Sequence, residues 1–159
     1  MLPEVALRSE TEEDIPFLLA VYASTRADEM AMVPWTAEQK DAFVLSQFGF
    51  QRTHYLQHYQ GSTFDIIMVD GEPAGRLYVH RGPGEFRIVD IAIMPEFRGR
   101  GVGGFLLTQV MEEAREADKV VSIHVERNNP ARHLYDRLGF QLIGEQGPVY
   151  LLMEWRPAG

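Results

Sequence analysis

Hydrophobic and polar positions recur with two different periods along this chain, and the switches between them lay out its elements. Val5–Arg8 alternates apolar and polar, the period of a half-buried strand. Thr11, with Asp14 three residues on and Pro16 nearby, signals a helix N-terminus. Ile15, Leu18, Leu19 and Tyr22 then follow at helical spacing. Met32–Trp35 bends the chain at its proline, and Thr36 caps a second helical pattern running from Ala37 to about Tyr59. There the period shortens. Phe64–Val69 is a continuous apolar run that ends at Asp70-Gly71, a strong hairpin turn. Ala74–His80 alternates up to a second turn at Gly82-Pro83-Gly84, and Phe86–Met94 is dense in Ile and Val. These three segments predict an antiparallel meander. A glycine-rich stretch opens a helix from Gly101 to about Ala117, and Val120–Val125 is the next strand. Asn129-Pro130 places a cap before a proline at the first helical position, and Gly139 closes that short helix. Phe140–Ile143 and Val149–Trp155 finish as a hairpin. The order β-αα-βββ-α-β-α-ββ predicts a mixed α/β sheet, mostly antiparallel, with one parallel crossover between Met94 and Val120.

Length and composition narrow the class. With 159 residues the chain is expected to form a single domain over 1–159. Its 45% hydrophobic and 24% charged residues match a folded globular protein. Lys and Arg number 15 against 23 Asp and Glu, a net charge of −8 that repels phosphate backbones and argues against a nucleic-acid partner. With no cysteine there is no disulfide, thiolate catalysis or Cys-ligated metal. No apolar run nears the ~20 residues of a membrane span. Met1–Glu13 carries four acids and no apolar block. The expectation is a cytoplasmic protein with no membrane partner.

Gly99-Arg100-Gly101-Val102-Gly103-Gly104 satisfies G-x-G-x-x-G between a strand and a helix, and Glu126 ends the next strand, as in a dinucleotide fold. Two features oppose that reading. Pro95–Arg98 separates the strand from the loop, and too little chain follows Glu126 for a doubly wound sheet. A P-loop fails because no Lys-Ser/Thr follows the glycines. What survives is an anion site: glycines let amides approach a phosphate closely, the helix dipole adds positive charge, and Arg98 and Arg100 bring two cations.

These residues resemble the GNAT superfamily of N-acetyltransferases. Its pyrophosphate loop reads Gln/Arg-x-x-Gly-x-Gly/Ala, which Arg98-Gly99-Arg100-Gly101-Val102-Gly103 fits at every fixed place. Ile88–Ile93 with Met94-Pro95-Glu96-Phe97, and Asn129–Tyr135 running into Arg137–Phe140, also resemble the family. The resemblance spans nearly the whole chain and is weakest over its first third.

That resemblance implies acetyl-CoA as co-substrate, held in a wedge where the central strand and the strand after the loop helix splay apart. The pyrophosphate would lie on the amides of Gly99, Arg100, Gly101, Val102, Gly103 and Gly104 beside Arg98. The pantetheine arm would pair with the backbone of Ile91 and Ile93, on either side of Ala92, where an amide polarises the thioester carbonyl. Tyr135 matches the family's proton donor to the departing thiolate, and a phenol of pKa about 10 suits a thiol leaving group. Its plain alternative is a packed aromatic. Either Asn128 or Asn129 would touch the cofactor: counting back from Ala131 favours Asn128, and counting from the strand end favours Asn129. The amine attacks the thioester directly, so neither a metal nor a covalent enzyme intermediate is implied.

The acceptor side is open. Ser122, His124 and Glu126 share one face of a strand, and a histidine, as a side chain that ordinarily titrates near neutrality, is chemically suited to serve as base. Some family members carry a glutamate near the position of His124. Asp90, opposite in face to Ile91 and Ile93, is a third candidate base. On the long second helix Gln47, Gln51, His54 and His58 form a polar, nearly uncharged stripe, which the resemblance places toward the acceptor. Phe48, Tyr55 and Tyr59 beside it read as core aromatics. The expectation is an N-acetyltransferase acting on a small-molecule or peptide amine, as a monomer or homodimer. The competing reading is a non-catalytic acyl-CoA-binding module of the same fold.

Overall fold

The computed structural model describes residues 3–158, so Met1, Leu2 and Gly159, which the single-domain reading includes, lie outside the described residues. In chain order the elements are β1 (Val5–Ser9), α1 (Ile15–Ala31), α2 (Ala37–His58), β2 (Thr63–Val69), β3 (Glu72–Arg81), β4 (Glu85–Ile93), α3 (Val102–Glu116), β5 (Val120–Glu126), α4 (Arg132–Leu138), β6 (Gln141–Gln146) and β7 (Tyr150–Trp155). The expected order of strands and helices is the observed one. The strands form one seven-stranded sheet in the order β1-β2-β3-β4-β5-β7-β6. Among the described residues only β4 and β5 pair in parallel, joined by the α3 crossover. The turn between β2 and β3 has Asp70 and Gly71 both at positive φ, 49° and 81°, which fits an Asp-Gly hairpin.

Strand alternation divides the apolar residues between two cores. Ile67, Val69, Leu77, Val79, Phe86, Ile88, Val121, Ile123, Leu151 and Met153 meet Leu106, Leu107 and Val110 of α3 on one face. Ile66 meets Leu18 and Tyr22 of α1 and Val44 and Phe48 of α2 on the other. The sheet is therefore covered on both faces, and the clean alternation along β2 and β3 reflects opposite faces with different helical partners.

The start of α1 differs in detail from the sequence reading. A 3₁₀ turn at Glu12–Asp14 precedes the α-helix. Asp14 Oδ2 accepts from the Thr11 amide at 2.8 Å, and its carboxylate receives both Arg8 guanidinium nitrogens at 2.8 and 2.9 Å. The Arg8 guanidinium holds the Asp14 carboxyl well below the usual carboxylate range. Asp14→Ala is expected to cost about 1 kcal/mol at neutral pH, the scale of a lost cap, since Arg8 is partly solvated and its ion pair is screened. A depressed carboxylate contributes above its unfolded pKa of about 3.9, and the contribution is lost as pH falls from there toward the folded value. Paired thermal melts at about pH 7 and about pH 2 check this, the gap between variants narrowing in acid.

The short helix α4 also begins later than expected. Asn129 Oδ1 accepts from the Ala131 amide at 2.9 Å, and the Arg132 amide donates to Asn129 O at 3.1 Å. Asn129 and Pro130 thus make a turn, and regular helix starts at Arg132. Gly139, at φ 100°, ends it as expected.

Candidate active site

The site originates in a slip of phase within β4. Tyr78 of β3 stands opposite Asp90, yet its neighbour Val79 stands opposite Ile88, so Val89 is an extra residue on β4. The bulge bends the strand and inverts its alternation. Phe86 and Ile88 before it, and Ile91 and Ile93 after it, consequently all pack toward α3, and Asp90 turns to the face of α1 and α2. The bulge coincides with the end of pairing to β5. The last parallel pair is Ile88 with Ile123, after which β4 continues along β3 as far as Gly75, and β5 continues along β7 as far as Tyr150. The two central strands splay apart, and a wedge opens between them.

The open edge of β4 presents specific backbone groups. The Met94 amide donates to Ala74 O at 2.8 Å, toward β3. Backbone groups alternate sides along a strand, so those of Ile93 and Ile91 point away from β3, into the wedge. Gly75 pins this segment from behind: a Cβ there would lie 2.1 Å from Ala92 O, so no side chain fits.

At one mouth of the wedge, Pro95–Phe97 makes a 3₁₀ turn into the glycine loop. Gly99 (φ 76°) and Gly101 (φ 81°) are in the left-handed region, which glycine enters without strain. Gly101 is the N-cap of α3 and offers no side chain to its first turn. The amides of Val102, Gly103 and Gly104 are the orphan donors of that helix start, gathered where the helix dipole is positive. The arginines behave differently from each other. Arg98 Nε donates to Ile93 O at 2.8 Å, tying the loop to the end of β4, whereas the Arg100 guanidinium lies 5.4 Å over the Phe97 ring. One of the two expected phosphate cations therefore also serves as a strut.

Tyr135 of α4 lies in the core cluster against which Ile91 and Ile93 pack. It is 4% exposed, its ring tilts against Phe140 at 5.9 Å, and burial, followed by the charge of Asp90, pushes its phenol well above the ordinary tyrosine value. The phenol is thus a held proton, and it senses Asp90. Both asparagines are exposed, and Asn129 has its Oδ1 engaged in the turn.

On the face of α1 and α2 the structure assembles a cluster that sequence reading did not. Arg76 of β3 is only 3% exposed, and its Nη2 donates to Asp90 Oδ2 at 2.6 Å and to Gln51 Oε1 at 2.8 Å. The Tyr55 hydroxyl donates to the same Asp90 Oδ2 at 3.0 Å. Tyr55 is therefore not merely a core aromatic: its ring packs edge-on to Tyr78 while its hydroxyl faces a carboxylate. Burial and then the Asp90 charge lift the Tyr55 phenol far above its usual value, so it stays a donor.

The other candidates from the sequence have partners of their own. His124 Nδ1 lies 3.1 Å from Arg87 Nη1, and Arg87 Nε donates to Ser122 Oγ at 2.7 Å. An arginine cannot accept, so His124 Nδ1 is the acceptor and carries no proton there. Burial, then the Arg87 charge, holds the His124 imidazole below its ordinary pKa. Glu126 is half-buried and faces Arg26 Nη1 at 3.4 Å. The polar stripe on α2 divides: Gln47 and Gln51 are half-buried, whereas His54 and His58 are exposed and stack on each other at 4.2 Å.

The fold has known counterparts. The family model described as the acetyltransferase (GNAT) family matches residues 24–140, well over half of the chain. A Bacillus subtilis (strain 168) protein described as a candidate [ribosomal protein bS18]-alanine N-acetyltransferase is 31% identical over 143 residues, covering 89% of this chain and 83% of that one. The N-alpha-acetyltransferase RimI of Mycobacterium tuberculosis is 26% identical over 135 residues, covering 83% of this chain and 84% of its own length. Among solved structures, the PaiA N-acetyltransferase of Thermoplasma acidophilum in complex with coenzyme A superimposes with a TM-score of 0.72 at 16% identity, covering 96% of this chain and 99% of that one. A mixed sheet split between β4 and β5, a glycine loop at the head of α3 and a family match over most of its length agree: this chain belongs to the GNAT family of acetyltransferases, whose co-substrate is acetyl-CoA.

Proposed function

We propose that the protein transfers an acetyl group from acetyl-CoA to a primary amine of a small molecule or a peptide, in the cytoplasm, by direct attack. The observation that carries this reading is the opening of β4 from β5 beyond Ile88 and Ile123, with the uncapped start of α3 nearby and Tyr135 buried in the core cluster against which Ile91 and Ile93 pack. The residues present fit the co-substrate. The amides from Gly99 to Gly104 would hold the pyrophosphate, with Arg100 beside them and Arg98 fixing the loop. Ile91 and Ile93 would pair with the pantetheine arm as an added strand, and an amide on this edge would donate to the thioester oxygen. Asn128 or Asn129, both exposed, would touch the cofactor. When bound, acetyl-CoA supplies a thioester whose C–S bond breaks as the amine nitrogen forms the new C–N bond. Tyr135 gives its proton to the departing sulfur. Gln51 and Gln47, both half-buried, would line the acceptor side, with the exposed His54 at its rim.

The test is to incubate the protein with acetyl-CoA and benzylamine, spermidine or an alanine-initiated tripeptide. Thiol release is followed and product masses are measured. Thiol release that depends on amine, together with an acetylated product, is expected. Coenzyme A binding with no thiol release above background would return the reading to a non-catalytic acyl-CoA-binding module.

A further inference from the structure

We propose that Asp90 is the group that takes hold of the acceptor's amine, with Tyr55 and Arg76 as the positioning residues that aim it. The inference rests on the acetyl-transfer reading and extends it to the acceptor side of the wedge.

Three observations converge on Asp90. First, the bulge at Val89 sets it on the opposite face of β4 from Ile91 and Ile93, past the last β4–β5 pair. A group there borders the wedge from the side away from the glycine loop. Second, both of its hydrogen bonds fall on one oxygen. Tyr55 and Arg76 donate to Oδ2, and among the described residues no protein donor reaches Oδ1. A carboxylate oxygen has room for further donors, and Oδ1 is not among the buried side-chain atoms left without a partner, so it is open to a donor from outside the protein. An ammonium supplies the missing donors. Third, Tyr135 is close enough to feel the charge of Asp90. Donor and acceptor of protons therefore flank the same opening.

The supporting residues account for the aim. Burying a carboxylate alone is costly, and Arg76 offsets that cost from the neighbouring strand β3. Because Arg76 is fixed on Oδ2 and on Gln51, its charge stays on the side away from Oδ1. Tyr55 comes from α2 and locks the carboxyl rotation. The alternatives are engaged elsewhere: His124 Nδ1 faces Arg87, and Glu126 faces Arg26.

The step balances as follows. The acceptor ammonium first loses one proton to water. As the nitrogen lone pair forms the C–N bond, the nitrogen becomes acidic and passes a second proton to Asp90 Oδ1. The electron pair of the broken C–S bond leaves on sulfur, which Tyr135 protonates. One proton then returns from Asp90 to Tyr135 through water, and both residues are restored.

Asp90→Asn keeps the shape but strands the buried Arg76 charge, which can destabilise the fold. The double variant Arg76→Gln with Asp90→Asn removes both charges together, and circular-dichroism melts establish that each variant is folded. With the three amines above, kcat/KM for the amine is expected to fall about a hundredfold or more in both variants, with coenzyme A affinity unchanged. Tyr55→Phe is expected to lower the same constant about tenfold, through KM for the amine as well as kcat, with coenzyme A affinity again unchanged. A folded double variant that acetylates amines within about threefold of wild type overturns the assignment and leaves the acetyl-transfer reading standing. A parallel loss of coenzyme A affinity also overturns it, since Asp90 would then shape the cofactor site. A wild-type protein that acetylates none of the three amines overturns both.

Discussion

Tyr135→Phe is expected to lower kcat and kcat/KM together by at least about a hundredfold while coenzyme A affinity stays at the wild-type value. The ring is buried against Phe140, so phenylalanine keeps the packing and deletes only the hydroxyl. A group that acts only as the C–S bond breaks contributes nothing to ground-state binding, hence the equal fall in both constants. The raised phenol pKa bears on the mechanism in two ways. It keeps Tyr135 protonated throughout any practical assay range, so loss of this donor gives the wild type no alkaline limb. It also makes the phenol a weaker acid, but the same dry surroundings lift the leaving thiolate, so the mismatch that governs transfer stays small. In the variant the thiolate must leave unprotonated or draw on water. A thiol titrates near about 8.5, so the deficit is expected to shrink as pH rises through that region. Steady-state constants at two pH values, with coenzyme A affinity determined separately, provide the measurement. A variant as active as wild type at both pH values would assign the proton to water and leave Tyr135 a packed aromatic.

Local sequence patterns revealed the elements because each is encoded within a few residues. Asp70-Gly71 forms the expected hairpin, Gly139 ends α4 at positive φ, and Thr36 caps α2 by accepting from the Gln39 amide. The glycine loop was legible for the same reason: its function depends on backbone freedom at neighbouring positions. The Asp90 cluster was not, because its members are far apart in sequence. Tyr55 lies on α2, Arg76 on β3 and Asp90 on β4, and only the stacking of a helix over two strands brings them together. Tyr55 also carried a misleading signal, since its helical spacing from Phe48 and Tyr59 is that of a core stripe and its ring does pack on Tyr78. One trace of the site was present in the sequence. Apolar positions in β4 run Phe86, Ile88, then Ile91, Ile93, a change of parity that a regular strand cannot place on one face. It marks the bulge at Val89, and with it the point where the wedge opens. The later start of α4 shows the converse. A proline after Asn129 suits a first helical turn, but the Asn129 side chain bonds the Ala131 amide and makes a separate turn first.

Gly101→Val is expected to weaken coenzyme A binding at least about tenfold. The mutation acts through two effects that must be separated. Gly101 sits at φ 81°, where an L side chain is strained by about 1–2 kcal/mol, and a β-branched one is among the worst suited. Relieving that strain rotates the peptide that leads into α3 and moves the amides of Val102 and Gly103 off their common centre. The added side chain also stands where a pyrophosphate must approach the backbone closely. Gly71 supplies the control: it has the same φ of 81°, lies in the turn between β2 and β3, and a Cβ added there would meet nothing within 4 Å. Gly71→Val is therefore expected to lower the melting temperature comparably and leave coenzyme A affinity intact. Gly103→Ala sets the opposite limit. Its Cβ would sit 3.5 Å from Ile93 and Leu134 side chains, an ordinary contact, within a helical turn that accepts alanine. Its affinity is expected to stay within about threefold of wild type, as the Gly/Ala tolerance of a helix start allows. Calorimetric titration of coenzyme A into the three variants, alongside their melts, reads both effects. If Gly101→Val loses only the stability that Gly71→Val loses and binds coenzyme A normally, the amides at the head of α3 are not the phosphate site, and the strut from Arg98 to Ile93 would be left as a purely structural tie.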